Sequence, residues 1–169
     1  MNVKEAILKR RSIRKYQNIE VSDEQIEELL QSAMAAPSAC NKTPWEFYVI
    51  KNKEIQKEIK LSCKNYNFNS PLLIVVGANL DLTISKENND FWIQDCSAAI
   101  ENILIEAVEL GLGTCWCGIY PRIDRVETIR KILHLTDNIV PLGLLHVGYP
   151  DEEKEPRTQY ETKKVHYIE

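Results

Sequence analysis

One long apolar segment constrains this chain more than any other feature. Residues 90–110 follow helical spacing, and apolar side chains occupy a broad face of that helix: Ile93, Ile100, Ile103, Leu104, Ala107 and Val108. Because a helix with so wide an apolar face must be covered by protein on most sides, the spacing predicts a central core helix. Gly111 follows at the position where a left-handed residue ends many helices.

Predicted strands and further helices surround this core helix. The strands are four apolar segments, at residues 46–50, 72–76, 114–120 and 140–147. Asn2 and Ser22 each stand three residues before Glu or Gln, which is the spacing of a capping box at a helix start. Helices first, then strands interleaved with helices, favour a three-layer α+β or mixed α/β domain. The length predicts one domain over residues 1–169.

Composition excludes some classes of protein and favours one compartment. No apolar run reaches the roughly 20 residues of a membrane helix, so no membrane partner is predicted. The net charge of -4 argues against nucleic acid as the main partner. The five cysteines lack the spacing of a disulfide framework, and residues 1–14 are charged, unlike a signal peptide. We therefore predict a cytoplasmic protein with reduced thiols.

A basic cluster, Lys9-Arg10-Arg11-Ser12-Ile13-Arg14, follows the first predicted helix. Arg10 and Arg14 are four residues apart, so on a continuous helix they share one face. Two guanidinium groups on one face can hold a phosphate by paired hydrogen bonds. Alternatively, the cations collect there because the helix dipole favours positive charge at a C-terminus. The spacing alone leaves both interpretations open.

A polar segment of small residues, Ala36-Pro37-Ser38-Ala39-Cys40-Asn41-Lys42-Thr43-Pro44-Trp45, follows the second predicted helix. Proline, serine and asparagine favour turns for local reasons, so a helix stop alone explains the segment. Small residues also let a backbone approach a planar polar ligand closely, which favours a binding loop. Trp45 is interpreted as a core anchor rather than a platform for substrate.

Cys115 and Cys117 lie two residues apart in a predicted strand and therefore face the same side. The histidines are His134, His146 and His166, and no second cysteine pair lies at ligand spacing, so we predict no metal. The two thiols are expected to be buried, which raises a thiol pKa. His146 lies in an apolar strand and is interpreted as a core residue with its hydrogen bonds satisfied.

Four fragments together resemble the nitroreductase family of FMN-dependent oxidoreductases. They are the basic cluster, the proline-flanked segment, Gly111-Leu112-Gly113-Thr114-Cys115-Trp116-Cys117-Gly118 and Gly148-Tyr149-Pro150. The resemblance implies a three-layer α+β fold whose mixed, largely antiparallel sheet is flanked by helices. It also implies a homodimer that exchanges a C-terminal strand, and the apolar end of the charged tail, residues 165–168, is compatible with such a strand.

The same resemblance implies which residues bind the phosphate end of FMN. Arg10 and Ser12 are implied to hold the phosphate and the ribityl chain, and Arg14 to lie nearer the flavin pyrimidine. Arg11 belongs to the same signature. Arg157 is implied to close the phosphate site from the tail, although the register leaves a second tail cation missing.

Two further segments are implied to approach the flavin ring. Four small or polar loop residues are implied to pack against the flavin of the partner subunit: Pro37, Ser38, Ala39 and Asn41. Thr43 stands where many family members carry glutamine, which is a departure from the pattern. The backbone at Cys117, Gly118 and Ile119 is implied to approach the N5 and O4 edge, where an amide would donate to N5.

The family chemistry implies an enzyme that uses FMN as cofactor and NAD(P)H as co-substrate. Hydride passes from NAD(P)H through flavin N5 to an electron-poor small molecule, such as a nitroaromatic or quinone, in a ping-pong sequence. The cofactor carries the chemistry, so no catalytic side chain is implied. The alternatives are the same fold with reductive dehalogenation, flavin destruction or substrate dehydrogenation, and a non-enzymatic module that binds an anion.

Overall fold

The computed structural model describes residues 1–63, 66–84 and 90–169. Its regular elements alternate along the chain as α1 (Val3–Lys9), α2 (Asp23–Met34), β1 (Trp45–Ile50), α3 (Lys53–Ser62), β2 (Leu72–Asn79), α4 (Phe91–Glu109), β3 (Gly113–Gly118), α5 (Ile123–Leu133) and β4 (Ile139–Gly148). Short 3₁₀ turns lie at Ala39–Asn41, Leu80–Leu82 and Thr162–Lys164. Every predicted strand and the long core helix are present within a few residues of their predicted bounds.

The four strands form one sheet in the order β1-β2-β4-β3. Each neighbouring pair of these strands is antiparallel, which confirms the predicted largely antiparallel sheet. A single parallel bridge joins Ser12 to Thr114 beside the outer edge of β3. The strand order makes β1 and β3 the edge strands. Among the described residues, Ser12 and Ile13 cover part of the outer edge of β3, whereas no strand lies beside the outer edge of β1.

Helices cover both faces of the sheet, as the α+β prediction requires. Leu29 of α2 and Ile103 of α4 belong to the core on one face, and Ile59 of α3 and Ile129 of α5 to the core on the other. The central strand β2 is buried along almost its whole length because its alternate side chains enter the two cores. This arrangement gives the three-layer fold.

The central position predicted for the long helix is confirmed. α4 has 19 residues, and its fully buried positions include Ala99, Ile100 and Ile103. Gly111, just past the helix, has φ +70°, a left-handed conformation that glycine adopts without steric cost. Trp45 is buried in the core on the α4 side, so its predicted role as a core anchor is also confirmed.

The C-terminal tail forms no strand within this chain. Residues 165–168, the predicted strand-like ending, follow the Thr162–Lys164 turn without regular structure. Tyr167 and Ile168 are 84% and 95% exposed. Two large apolar side chains are therefore left in solvent at the end of the chain.

Candidate functional site

The basic cluster is not helical, so the predicted shared helix face of Arg10 and Arg14 is wrong. Arg10 is already the C-cap of α1, with φ -57° and ψ 121°. The backbone then runs along the edge of β3, where Ser12 bridges to Thr114 and the Ile13 N–H donates to the Thr114 oxygen at 2.8 Å. Bonds to a distant strand have replaced the next helical turn.

A glycine in β3 allows this close approach. A Cβ atom on Gly113 would lie only 2.8–2.9 Å from three side-chain atoms of Ile13. No residue with a side chain leaves that space open, so Gly113 lets Ile13 dock against the strand. Docking of Ile13 in turn places the neighbouring Ser12 and Arg14 at the end of the molecule where the tail arrives.

The tail returns along the same N-terminal segment. The Arg157 N–H donates to the Leu8 oxygen at 3.2 Å. Glu152 Oε1 accepts from the Arg14 N–H at 2.6 Å, so the tail caps an amide of the basic cluster. These contacts join residues more than 130 positions apart in sequence.

The two segments enclose a cavity of about 300 Å³. Five cationic side chains and one serine line it: Arg10, Arg11, Ser12, Arg14, Lys154 and Arg157. We call this cavity the basic pocket. Guanidinium and ammonium groups around a small cavity match the chemistry of a phosphate group, which accepts charge-assisted hydrogen bonds on all sides. The predicted basic-cluster and tail residues are therefore brought together, although by extended chain rather than by a helix.

Lys154 belongs to this pocket and was missed by sequence reasoning. Its Nζ donates to the backbone oxygen of Ser12 and lies 3.1 Å from Glu152 Oε1. The family resemblance implies a second tail cation two residues after Arg157, but Gln159 stands at that position. The cation lies three residues before Arg157 instead. The only sequence signal was the Lys-x-x-Arg spacing within a run of charged residues.

Carboxylates hold two of the five cations in place. Arg10 Nε lies 3.4 Å from Glu101 Oε1 on α4, and Lys154 is paired with Glu152. The Arg14 N–H and the Lys154 ammonium hold the pKa of Glu152 below its usual value. Among the described residues, three pocket cations have no carboxylate within ion-pair distance: Arg11, Arg14 and Arg157. The pocket thus carries an excess of positive charge available to an anion.

The proline-flanked segment has a different construction. We call residues 38–43 the Ser38 loop. Three of its non-glycine residues are left-handed, with φ 49° at Cys40, 52° at Asn41 and 45° at Thr43. The Ala39 N–H donates to Asp95 Oδ1 of α4 at 2.8 Å. Within one chain, the turn Ala39–Asn41 contacts α4. None of the predicted loop residues lines the basic pocket: Pro37, Ser38, Ala39 and Asn41.

The end of β3 presents backbone rather than side chains to solvent. Cys117 and Ile119 are buried on the α3 and α5 side, whereas Gly118 is exposed. A Cβ on Gly118 would meet only the Tyr120 oxygen, at 3.9 Å. The Ile119 N–H donates to the Leu142 oxygen at 3.0 Å, and the donation of an amide of this segment to flavin N5 stays a prediction.

Arg125 fixes the carbonyl at this strand end. Its Nη1 donates to the Gly118 oxygen at 2.9 Å and to the Tyr66 hydroxyl at 3.0 Å. The guanidinium carbon also lies 4.8 Å from the centre of the Tyr66 ring, a cation–π contact. The peptide after Gly118 therefore has a defined orientation at the surface.

The paired thiols are buried, but their pKa values differ from the expectation. The neighbouring Cys117 thiol lowers the pKa of Cys115 to about 7, against burial and with help from Arg14 and Lys154. The same pairing, added to burial, raises the pKa of Cys117. The prediction that burial raises both values is therefore wrong for Cys115, because its partner thiol stabilises the thiolate.

His146 is a core residue, as predicted, but only half of its ring is satisfied. It lies opposite Cys115 in the sheet and is fully buried. Nδ1 is 2.7 Å from Ser70 Oγ, whereas Nε2 has no hydrogen-bond partner among the described residues. Burial, together with the charge of Lys60, lowers its pKa to about 3. His146 is thus neutral at physiological pH.

The described parts of the chain lack both a metal-ion cluster and a membrane-spanning helix. They contain no group of three or more His, Cys, Asp or Glu side chains placed to hold a metal ion. None of the helices in those parts is long and apolar enough to cross a membrane. Within the described residues, the basic pocket is therefore the main candidate for a binding site, because five cationic side chains line it.

Fold and site together define a three-layer α+β protein with a pocket of cationic side chains between its N-terminal segment and its tail. The sequence model of the nitroreductase family matches this chain in two overlapping parts, residues 7–71 and 67–149. The chain belongs to the nitroreductase family.

Individual relatives cover nearly the whole chain. A Methanothermobacter thermautotrophicus protein, named as a candidate NADH dehydrogenase/NAD(P)H nitroreductase, is 40% identical over 98% of this chain and 86% of its own. An Archaeoglobus fulgidus protein of the same name is 44% identical over 88% of this chain and 86% of its own. The solved structure of an FMN-dependent nitroreductase from Clostridium difficile is 35% identical, with a TM-score of 0.86 over 97% of this chain and 98% of that one.

Proposed function

We propose that this protein is an FMN-dependent NAD(P)H oxidoreductase and that residues 1–169 act as one FMN-binding domain. The observation that carries the proposal is the basic pocket, in a chain whose relatives include an enzyme named as an FMN-dependent nitroreductase. The relatives named after NAD(P)H support the choice of reductant. Cytoplasm is the proposed compartment, in keeping with five free cysteines.

The residues of the basic pocket fit the phosphate end of FMN. A phosphate dianion would be held by Arg11 and Arg157, pocket cations without a carboxylate partner among the described residues, and Arg14 would lie nearer the flavin ring. Ser12 would add a hydroxyl donor, and Lys154 would bring positive charge while bonded to the chain itself. Arg14 carries its charge beyond the pocket, since its guanidinium lies 6.0 Å from the Phe68 ring centre.

The proposed reaction needs orientation rather than an acid or a base from the chain. Bound FMN would supply the redox chemistry, taking hydride at N5 from NAD(P)H and passing it to an electron-poor acceptor such as a nitroaromatic or quinone. Arg14 would favour the anionic reduced cofactor by its positive charge. Gly118 would allow close approach of the ring, and Arg125 would keep its carbonyl directed away.

We also propose a homodimer in which the tail of one copy joins the sheet of the other. Among the residues that the structure describes, no strand lies beside the outer edge of β1. A cavity of about 620 Å³ at this strand is lined by Phe47, Tyr48, Ile55 and Leu133, among others. The exposed apolar end of the tail, residues 165–168, has the length and character of an added strand. The β3 edge is less suitable because Ser12 and Ile13 already occupy part of it.

Deleting residues 159–169 tests the dimer. We expect sedimentation velocity to show a shift from dimer to monomer, because the added strand and its side chains are lost together. FMN retention is expected to fall in the same variant, since the Ser38 loop of a partner would no longer be in place. A truncated protein that remains a dimer with full FMN content would show that the tail does not join the subunits.

Titration of the purified protein with FMN tests the function itself. The expected results are saturable binding, reduction of the bound flavin by NADH or NADPH, and reoxidation by a quinone or nitroaromatic. A protein that neither carries FMN nor takes it up would refute the proposal and favour an anion-binding module. Reduction without turnover of these acceptors would direct the screen to halogenated phenols and to substrates of dehydrogenation.

A further inference from the structure

Asp95 is a buried carboxylate that has no part in the basic pocket. It lies on α4 and is only 6% exposed. Its Oδ1 accepts the Ala39 N–H at 2.8 Å across 56 residues of sequence. Burial of a carboxylate is costly unless hydrogen bonds compensate for the lost water, so this position requires a donor. The Ser38 loop supplies that donor from its backbone.

The Ser38 loop needs an anchor because its own conformation is unfavourable. Its three left-handed non-glycine residues each adopt a backbone region that such residues seldom occupy. Within the loop, the Asn41 N–H donates to the Ser38 oxygen at 3.0 Å and the Thr43 N–H to Ser38 Oγ at 2.9 Å. These bonds close the turn on itself but do not attach it to the rest of the protein.

The bond from Asp95 makes that attachment at the start of the turn. A hydrogen bond to an ionised carboxylate is stronger than one to a neutral oxygen, and burial shields it from salt. Asp95 stands on the core helix, six residues before Glu101, the partner of Arg10. One rigid helix therefore holds the Ser38 loop and, about 9 Å further along its axis, a cation of the basic pocket.

We propose that Asp95 is a positioning residue that holds the Ser38 loop in the left-handed conformation used to pack against flavin. The role in flavin binding rests on the proposed function; the anchoring of the loop does not. Asp95 acts through the Ala39 amide and needs no contact with the cofactor. Its negative charge strengthens that bond, and an uncharged acceptor of the same shape would retain part of it.

Trypsin provides a direct measure of loop anchoring, because Lys42 lies exposed inside the loop. We expect the apoprotein of Asp95→Ala to be cut after Lys42 about tenfold faster than wild type or more, the size of one charge-assisted hydrogen bond. Asp95→Asn keeps an acceptor oxygen and should stay within about threefold of wild type. Ile103→Val, on the same helix and fully buried, is the control for a general loss of stability.

FMN affinity is the second measurement on the same folded variants. Asp95→Ala is expected to bind FMN about tenfold more weakly than wild type, and Asp95→Asn to restore most of the affinity. Ile103→Val should lower the melting temperature without changing either readout. Faster cleavage with unchanged FMN affinity would overturn the positioning role, and a lower melting temperature with both readouts unchanged would overturn it as well.

Amide hydrogen exchange in wild-type apoprotein covers the case in which Asp95→Ala does not fold. The Ala39 amide should be protected to about the level of amides in α4, and exchange at the rate of an open loop would overturn the anchoring. A wild-type protein that takes up no FMN would refute the proposed function instead. The cleavage and exchange experiments need no cofactor, so they still decide whether Asp95 holds the loop.

Discussion

The basic pocket and the Ser38 loop differ in how the chain holds them in place. The pocket joins the two ends of the chain, and its cations are arranged by carboxylates and by backbone oxygens such as that of Ser12. The loop is a single short segment whose left-handed residues depend on internal turns and on Asp95. Charge interactions therefore position the side chains of the basic pocket, whereas backbone conformation determines the shape of the Ser38 loop.

This difference predicts different responses to salt. The pocket cations are partly exposed, so added salt screens their attraction for a phosphate. Asp95 is buried and its bond to the Ala39 amide is partly buried, so salt screens this contact less. If both regions bind FMN as proposed, the pocket would select its ligand by charge and the loop would select it by shape.

Removing two cations from the basic pocket should have the largest effect on FMN binding. Arg14→Ala combined with Arg157→Ala deletes two pocket cations that have no carboxylate partner in the described parts of the chain. We expect FMN binding to weaken by about 3–6 kcal/mol, since each charge-assisted bond contributes about 1.5–3 kcal/mol. Isothermal titration calorimetry at two salt concentrations should also show a smaller salt dependence than in wild type.

The matched control removes two exposed cations outside the pocket and the tail, Arg122→Ala with Lys53→Ala. Both residues pair with surface carboxylates, and their loss should leave FMN affinity nearly unchanged. Equal losses in the two double variants would mean that overall charge, rather than the pocket, governs binding.

A smaller effect is expected from adding one methyl group to β3. Gly113→Ala places a Cβ against Ile13 and should destabilise the fold by about 1–3 kcal/mol, the usual cost of overpacking. The displaced segment carries Ser12 and Arg14, so FMN binding should weaken while trypsin cleavage at Lys42 stays unchanged. Urea unfolding and the cleavage assay measure the two outcomes.

Gly118→Ala is the control in the same strand, because its added Cβ meets nothing closer than 3.9 Å within the chain. Its stability should stay within about 0.5 kcal/mol of wild type. If Gly113→Ala loosened the Ser38 loop as well, the two regions would not be independent.

Acid should act on both regions equally and through the core. Folding lowers the pKa of His146 from its ordinary value of 6.5 to about 3. Between these two pH values, the unfolded chain therefore binds a proton that the folded chain does not. The contribution of neutral His146 to the free energy of unfolding is therefore fully present above about pH 7 and is lost as the pH falls toward 3. Between pH 7 and pH 5 we expect a loss of about 2 kcal/mol, measured by urea unfolding.

His146→Gln should be less stable at pH 7 but should lose most of this pH dependence. His166→Gln, at an exposed site in the tail, should keep the wild-type dependence. A pH profile unchanged by His146→Gln would assign the acid sensitivity to other groups.

The sequence alone was sufficient for the elements whose signals are local. The capping box of α2 is present as predicted, with Gln25 N–H donating to Ser22 Oγ and Ser22 N–H to Gln25 Oε1. The broad apolar face of α4 required burial on several sides, and the apolar segments could be satisfied only between two helical layers. The four motif fragments were specific enough to identify the family, because they occur in the family's order along nearly the whole chain.

The arrangement of the site was decided only by the tertiary structure. Arg10 and Arg14 leave helical geometry because Ile13 finds space beside Gly113, more than 90 residues away in sequence. The place of Lys154 in the pocket and the bond from the Ser38 loop to Asp95 likewise depend on partners that no local pattern specifies. Periodicity and capping operate over a few residues, so the sequence determines them directly. The position of a charge depends on which distant segments pack together, and only the folded chain determines that.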